Sequence, residues 1–174
     1  MKKMFALALA AVMSLSVLSG CASKPAESAP AAKTPEELTT LYAEAITANG
    51  GEMVEYNPVI SEAKEEDGSA FLLEMLGLSA EDMTAFGIST SMMNVKAYGI
   101  AAIMPAEGKE ETIKEALQAF IDLQKMNFEF YLVDQFEVAE NAKLETLEDG
   151  TVLMVMAENG DAIYEAISTA ILEG

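Results

Sequence analysis

Few groups in this chain could carry out chemistry. A single cysteine, Cys21, stands in 174 residues, with no histidine and no arginine. Without a histidine to take its proton, Cys21 is a poor nucleophile; without a second cysteine it forms no intrachain disulfide. Catalysis would then fall to carboxylates, hydroxyls or lysines. Acidic clusters occur at Glu65-Glu66-Asp67, Glu110-Glu111 and Glu148-Asp149. They fall in turns and at helix starts, where turn chemistry and the helix dipole account for them as solvated surface. No EF-hand spacing, phosphate-binding glycine loop or Gly-x-Ser-x-Gly elbow is present. Nine methionines follow Cys21. Converging thioethers would suit copper(I) or an adaptable groove, but most of these lie beside Leu, Val and Ile, and core filling is the expectation. The sequence gives no positive sign of an enzyme, a metal or another cofactor.

The surroundings of Cys21 give it a different role. "MKKMFALALAAVMSLSVLSG" places Lys2 and Lys3 before an apolar run and small residues, the layout of a secretory signal too short to span a membrane. Leu18-Ser19-Gly20-Cys21 follows in register and resembles the bacterial lipobox. That resemblance implies that the Cys21 thiol receives diacylglycerol and that the chain is cut before it. Each buried acyl methylene contributes ~0.8 kcal/mol, so two or three chains on one residue anchor firmly. The expected organisation is a signal peptide at 1–20, a lipidated Cys21 with an Ala/Pro/Ser linker at 21–33, and one domain at 34–174. The expected location is the extracytoplasmic face of the cell membrane.

Charge narrows the partners. The chain carries 29 acids against 10 Lys; removal of residues 1–20 leaves eight Lys, a net −21. Such a body repels nucleic acid and anionic lipid, and its lysines lack the bidentate fork that favours phosphate. Nucleic acid is therefore not an expected partner, and the membrane is met through lipid on Cys21.

The elements that would position any site follow from periodicity and caps. Thr34-Pro-Glu-Glu37 is a capping box with proline at the first helical position, and Leu38, Leu41, Tyr42, Ala45 and Ile46 follow at helical spacing. "SAFLLEMLGL" predicts a short helix capped by Ser69, and "SAEDM" one further turn. "FGISTSMMNV" and "AYGIAAIMP" predict two strands, and a long helix starts at Gly108. A second short helix, "LVDQFEVAENA", precedes a hairpin turning at Glu148-Asp149-Gly150, and a last helix carries Ile163, Ala166, Ile167 and Ile171 inward. The expected fold is α+β. It has a four-stranded, mainly antiparallel sheet built from two strand-strand-helix units, with helices packed on one face and an N-terminal helix before them. "IKEAL" and "IYEAI", fifty residues apart, are compatible with a duplication.

Two separated motifs, Met92-Met93-Asn94-Val95-Lys96-Ala97 and Tyr131-Leu132-x-Asp134-Gln135, resemble those of a domain-of-unknown-function family of small Firmicute lipoproteins, over roughly residues 70 to 157. In this chain Tyr98-Gly99 replaces an acidic pair of that family, Val133 a proline and Phe136 a tyrosine. The resemblance implies no activity; it directs attention to Asn94, Lys96, Asp134 and Gln135 as candidate binding residues. The plain structural alternative is that Asn94 supports a turn and Asp134 caps a helix. The expected function is a non-enzymatic binding or interaction module at the cell envelope, meeting an envelope protein or a small ligand. The alternatives are a carboxylate-dependent envelope enzyme and a solute- or metal-binding lipoprotein.

Overall fold

A computed structural model describes residues 33–66, 68–93 and 95–174. The signal segment, Cys21, the linker before Lys33, and Asn94 lie outside the described residues. The compact unit runs from Lys33 to Gly174. Its elements are α1 (Pro35–Asn49), a 3-10 turn (Glu52–Glu55), α2 (Ser69–Met75), a second 3-10 turn (Ala80–Asp82), β1 (Met83–Thr90), β2 (Gly99–Pro105), α3 (Glu110–Phe128), α4 (Val133–Glu140), β3 (Lys143–Thr146), β4 (Val152–Met156) and α5 (Gly160–Glu173).

The chain enters α1 as the capping box requires. The Glu37 N–H donates to Thr34 Oγ1 at 3.3 Å and the Thr34 N–H donates to Glu37 Oε2 at 2.7 Å, so two otherwise orphaned amides are satisfied. The helix then buries Tyr42, Ala45 and Ile46. For α2 the cap differs from expectation. Ser69 is the first helical residue rather than the N-cap, a position taken by Gly68 at φ 78, and the Ser69 hydroxyl accepts instead from the Lys64 N–H.

The four strands form one antiparallel sheet in the order β1-β2-β4-β3, with Ile100 opposite Val155 and Ala102 opposite Leu153. The fold is therefore α+β, with two strand-strand-helix units. The arrangement of helices corrects the expectation of a single covered face. Ile100, Ala102, Leu153 and Val155 pack with Tyr42, Ile46 and Ile167 of α1 and α5. Ala101, Ile103, Met154 and Met156 point the other way, onto Ile113, Leu117, Phe120 and Phe128 of α3. The reason lies in the strands: "GIAAI" and "VLMVM" are apolar at both parities, so both faces must be covered.

Close approach makes the second layer possible. A Cβ on Gly87 would lie 3.0 Å from Tyr42 Cβ and 3.1 Å from the Tyr42 carbonyl carbon, so α1 rests directly on β1. The opposite placement of α3 and α5 also bears on duplication. A two-fold axis exchanging the adjacent antiparallel strands β2 and β4 would keep both helices on one face, so the likeness of "IKEAL" to "IYEAI" reflects the common needs of amphipathic helices.

The β3–β4 hairpin turns where expected. Gly150 takes φ 91, and the Asp149 carboxylate accepts from both the N–H and the hydroxyl of Thr151, each at 2.9 Å. The β1–β2 connection differs: β1 ends at Thr90, and Met92 and Met93, expected within the strand, lie exposed beyond it. Among the described residues no helix is long and apolar enough to cross a membrane.

Candidate functional site

The two motifs meet at the pole of the sheet where β1 ends and β2 begins. The first lies on the β1–β2 loop and the second on the α3–α4 junction. They are joined because the Ala97 N–H donates to Gln135 Oε1 at 2.9 Å. Gln135 is only 3 % exposed, so its amide serves where a loop N–H would otherwise be buried unpaired. Its Nε2 donates to Asp134 Oδ2 at 2.9 Å, and that bond, chiefly, holds the Asp134 carboxyl below the ordinary carboxylate range, with Lys96 adding a smaller pull. Asp134 is not the cap of α4: the N-cap is Leu132, without a side-chain bond.

Lys96 finds its partner outside both motifs. Its Nζ donates to Glu158 Oε1 at 2.6 Å. The Lys96 bond and charge, and then a bond to Gln135, lower the Glu158 carboxyl in turn. Glu158 lacked any signal of its own in the sequence. Strand register places it: Gly99 pairs with Met156 in antiparallel sense, so the chain just before β2 lies beside the chain just after β4. Of the four candidates, Lys96, Asp134 and Gln135 thus come together with Glu158 as a fourth member, while Asn94 lies outside the described residues.

Around this cluster opens a cleft of about 530 Å³, walled by Met53, Tyr56 and Ile163 and floored by Lys96, Tyr98 and Gln135. Tyr98 is buried below it. Ser89 Oγ donates to Asn57 O at 2.5 Å and lies within hydrogen-bond distance, 3.1 Å, of Tyr98 Oη, and the phenol donates to Gly50 O at 3.3 Å. Burial pushes the Tyr98 phenol up, so it remains a donor. The departure at Tyr98-Gly99 has a steric side: a Cβ on Gly99 would lie 2.9 Å from Phe120 Cε1, so a larger side chain there would have to push the Phe120 ring aside.

A second open cleft, about 750 Å³, adjoins the first across Ala157 to Asn159 and runs between α4 and the start of α5, with Asp134, Glu137, Lys143, Glu158 and Asp161 on its walls. Lys143 Nζ pairs with Asp161 Oδ1 at 2.8 Å, and chiefly through that bond its ammonium is held above the ordinary lysine range. Asn159, on the shared wall, is the only non-glycine at positive φ among the described residues, at 59.

A general acid needs a carboxyl raised toward neutrality, and the two shifted carboxyls of the cluster, Asp134 and Glu158, both move down. Ser61 and Lys64 have the Ser-x-x-Lys spacing of a serine–lysine dyad, but the segment is irregular and Lys64 Nζ pairs with Glu62 at 2.5 Å. Among the described residues no three Asp, Glu, Cys or His side chains are placed to hold a metal ion. Core filling accounts for Met83, Met154 and Met156, whereas Met75, Met92, Met93 and Met126 are exposed.

No curated protein and no solved structure matches the chain. A family model described as a domain of unknown function, DUF4358, matches residues 59–157 and so covers both motifs and the sheet.

Proposed function

The chain belongs to the DUF4358 family, whose shared domain has no known function, and from that premise we propose that it is a membrane-anchored, extracytoplasmic lipoprotein whose domain is a non-enzymatic binding module. The observation that carries the anchoring is Leu18-Ser19-Gly20-Cys21 placed directly behind a charged start and an apolar run. The tract from Ala22 to Ala32 holds no aliphatic side chain larger than alanine and two prolines, the composition of an extended stalk.

Binding is supported by the cleft over Lys96, Tyr98 and Gln135. Its polar groups bond to one another: Lys96 to Glu158, Gln135 to Ala97 and Asp134. Such a site holds a shape and offers apolar walls, which suits recognition better than proton transfer. Its ligand is an envelope protein or a small molecule meeting that surface.

Labelled palmitate tests the anchor. The full-length protein incorporates the label and is processed at Cys21; the Cys21→Ser variant does neither. Label in the variant would remove Cys21 as the attachment point.

A further inference from the structure

Beside the cleft lies a group of apolar side chains in contact with water. Met92, Met93 and Val95 on the β1–β2 loop, and Phe130, Tyr131 and Val133 on the α3–α4 junction, are each more than half exposed, Phe130 by 87 %. Both groups flank the bond that ties the loop to the junction. Val95 and Val133 each stand two residues, at most about 7 Å of chain, from the two ends of the Ala97–Gln135 bond. Acidic side chains border them: Glu129 precedes Phe130, Asp134 follows Val133, and Glu158 pairs with Lys96, with Lys125 one turn before Glu129 as the other cation near this end of α3. An apolar patch inside a charged rim marks an interaction surface.

Resting on the binding-module reading, we infer that this pole docks a protein whose contact face is apolar and rimmed by Lys or Arg. Charge complementarity selects that occupant. A second copy docking through the same patch would bring each acidic rim against itself. An anionic lipid surface is repelled by the same rim. The course of α1 argues against lipid as well. The Gly50 end of α1 lies at this pole, beside Tyr98, while Leu41 lies against Gly174 at the far end of α5. The 15 residues of α1 span about 22 Å, so Lys33, just before its first turn, lies at the pole away from the patch.

Photocrosslinking of the full-length protein at native abundance tests the inference. The photoreactive residue p-benzoylphenylalanine replaces Phe130, or, as a control, Leu172 at the opposite pole, which is also exposed. The expected result is a crosslink from position 130 to one other protein, through an apolar peptide with Lys or Arg within a few residues, at ten-fold or greater yield over position 172. Adding Met93→Asp lowers that yield at least ten-fold. Crosslinks to lipid, to a second copy or to a peptide without basic neighbours, equal yields from both positions, or no crosslink would overturn it. Palmitate labelling in the same cells reports the anchor independently, so loss of the label and loss of the crosslink are separate failures.

Discussion

Glu158 shows how a single cation organises its surroundings in a chain with this much negative charge. Lys96 lowers the Glu158 carboxyl through a direct bond and through its charge. Because the folded pKa lies below the ordinary 4.5, the stabilising contribution of the pair is present above that pH and is lost as pH falls through the lowered value. The pair is substantially exposed on both sides, so its share of stability is small, and its titration is the better readout. Lys96→Met is expected to return Glu158 toward 4.5 in a carboxyl-carbon NMR titration. An unchanged Glu158 curve would show that the ammonium is not what holds it down. Both motifs could be seen in the sequence, and so could the polar character of Lys96, Asp134 and Gln135. The identity of the acid paired to Lys96 could not, because it depends on the offset between β2 and β4.

At the scale of elements, the close contact of α1 with β1 is the feature most exposed to test. The groups nearest a Cβ at Gly87 are Tyr42 Cβ and the backbone of Tyr42 and Ala43, and backbone yields only if the whole helix shifts. Gly87→Ala is therefore expected to destabilise the fold by about 1–3 kcal/mol, read as a lower urea midpoint. A midpoint equal to or above that of the parent would mean that α1 is free to ride outward. The helices and the two hairpins were readable from the 3.6-residue stripe, from Gly150 and, for α1 alone, from its cap; Ser69 and Asp134 do not cap α2 and α4. The two-sided covering of the sheet was missed although its sign was present: strands such as "VLMVM" have no polar parity to turn toward water. Where β1 ends was also misplaced. Ser91, Met92 and Met93 continue the strand pattern by type, but the Ser91 N–H is the last to reach across to the opposite strand, donating to Tyr98 O at 3.0 Å, and the loop then departs.

For the whole molecule, charge is the dominant quantity. The chain carries 29 acids against 10 Lys, and an excess of like charge of that size is self-repelling. The six ion pairs between described residues all have an exposed or half-exposed partner, and pairs of that kind contribute about 0–1 kcal/mol each. Salt weakens both effects, shortening the screening length from roughly 30 Å at 0.01 M to about 8 Å at 0.15 M. The excess of like charge outweighs the pairs, so the urea midpoint is expected to rise between those concentrations; a fall would show that the pairs matter more than the repulsion. Composition, the Cys21 motif, the helix caps and the strand runs were all available in one dimension, because each depends on residues within a few positions of one another. The cleft, the Lys96–Glu158 pair and the apolar pole required the folded chain. They depend on sheet register and on which face each helix covers, quantities that bring residues as far apart as Ala97 and Gln135, 38 positions, or Lys96 and Glu158, 62 positions, into contact and that no local pattern encodes.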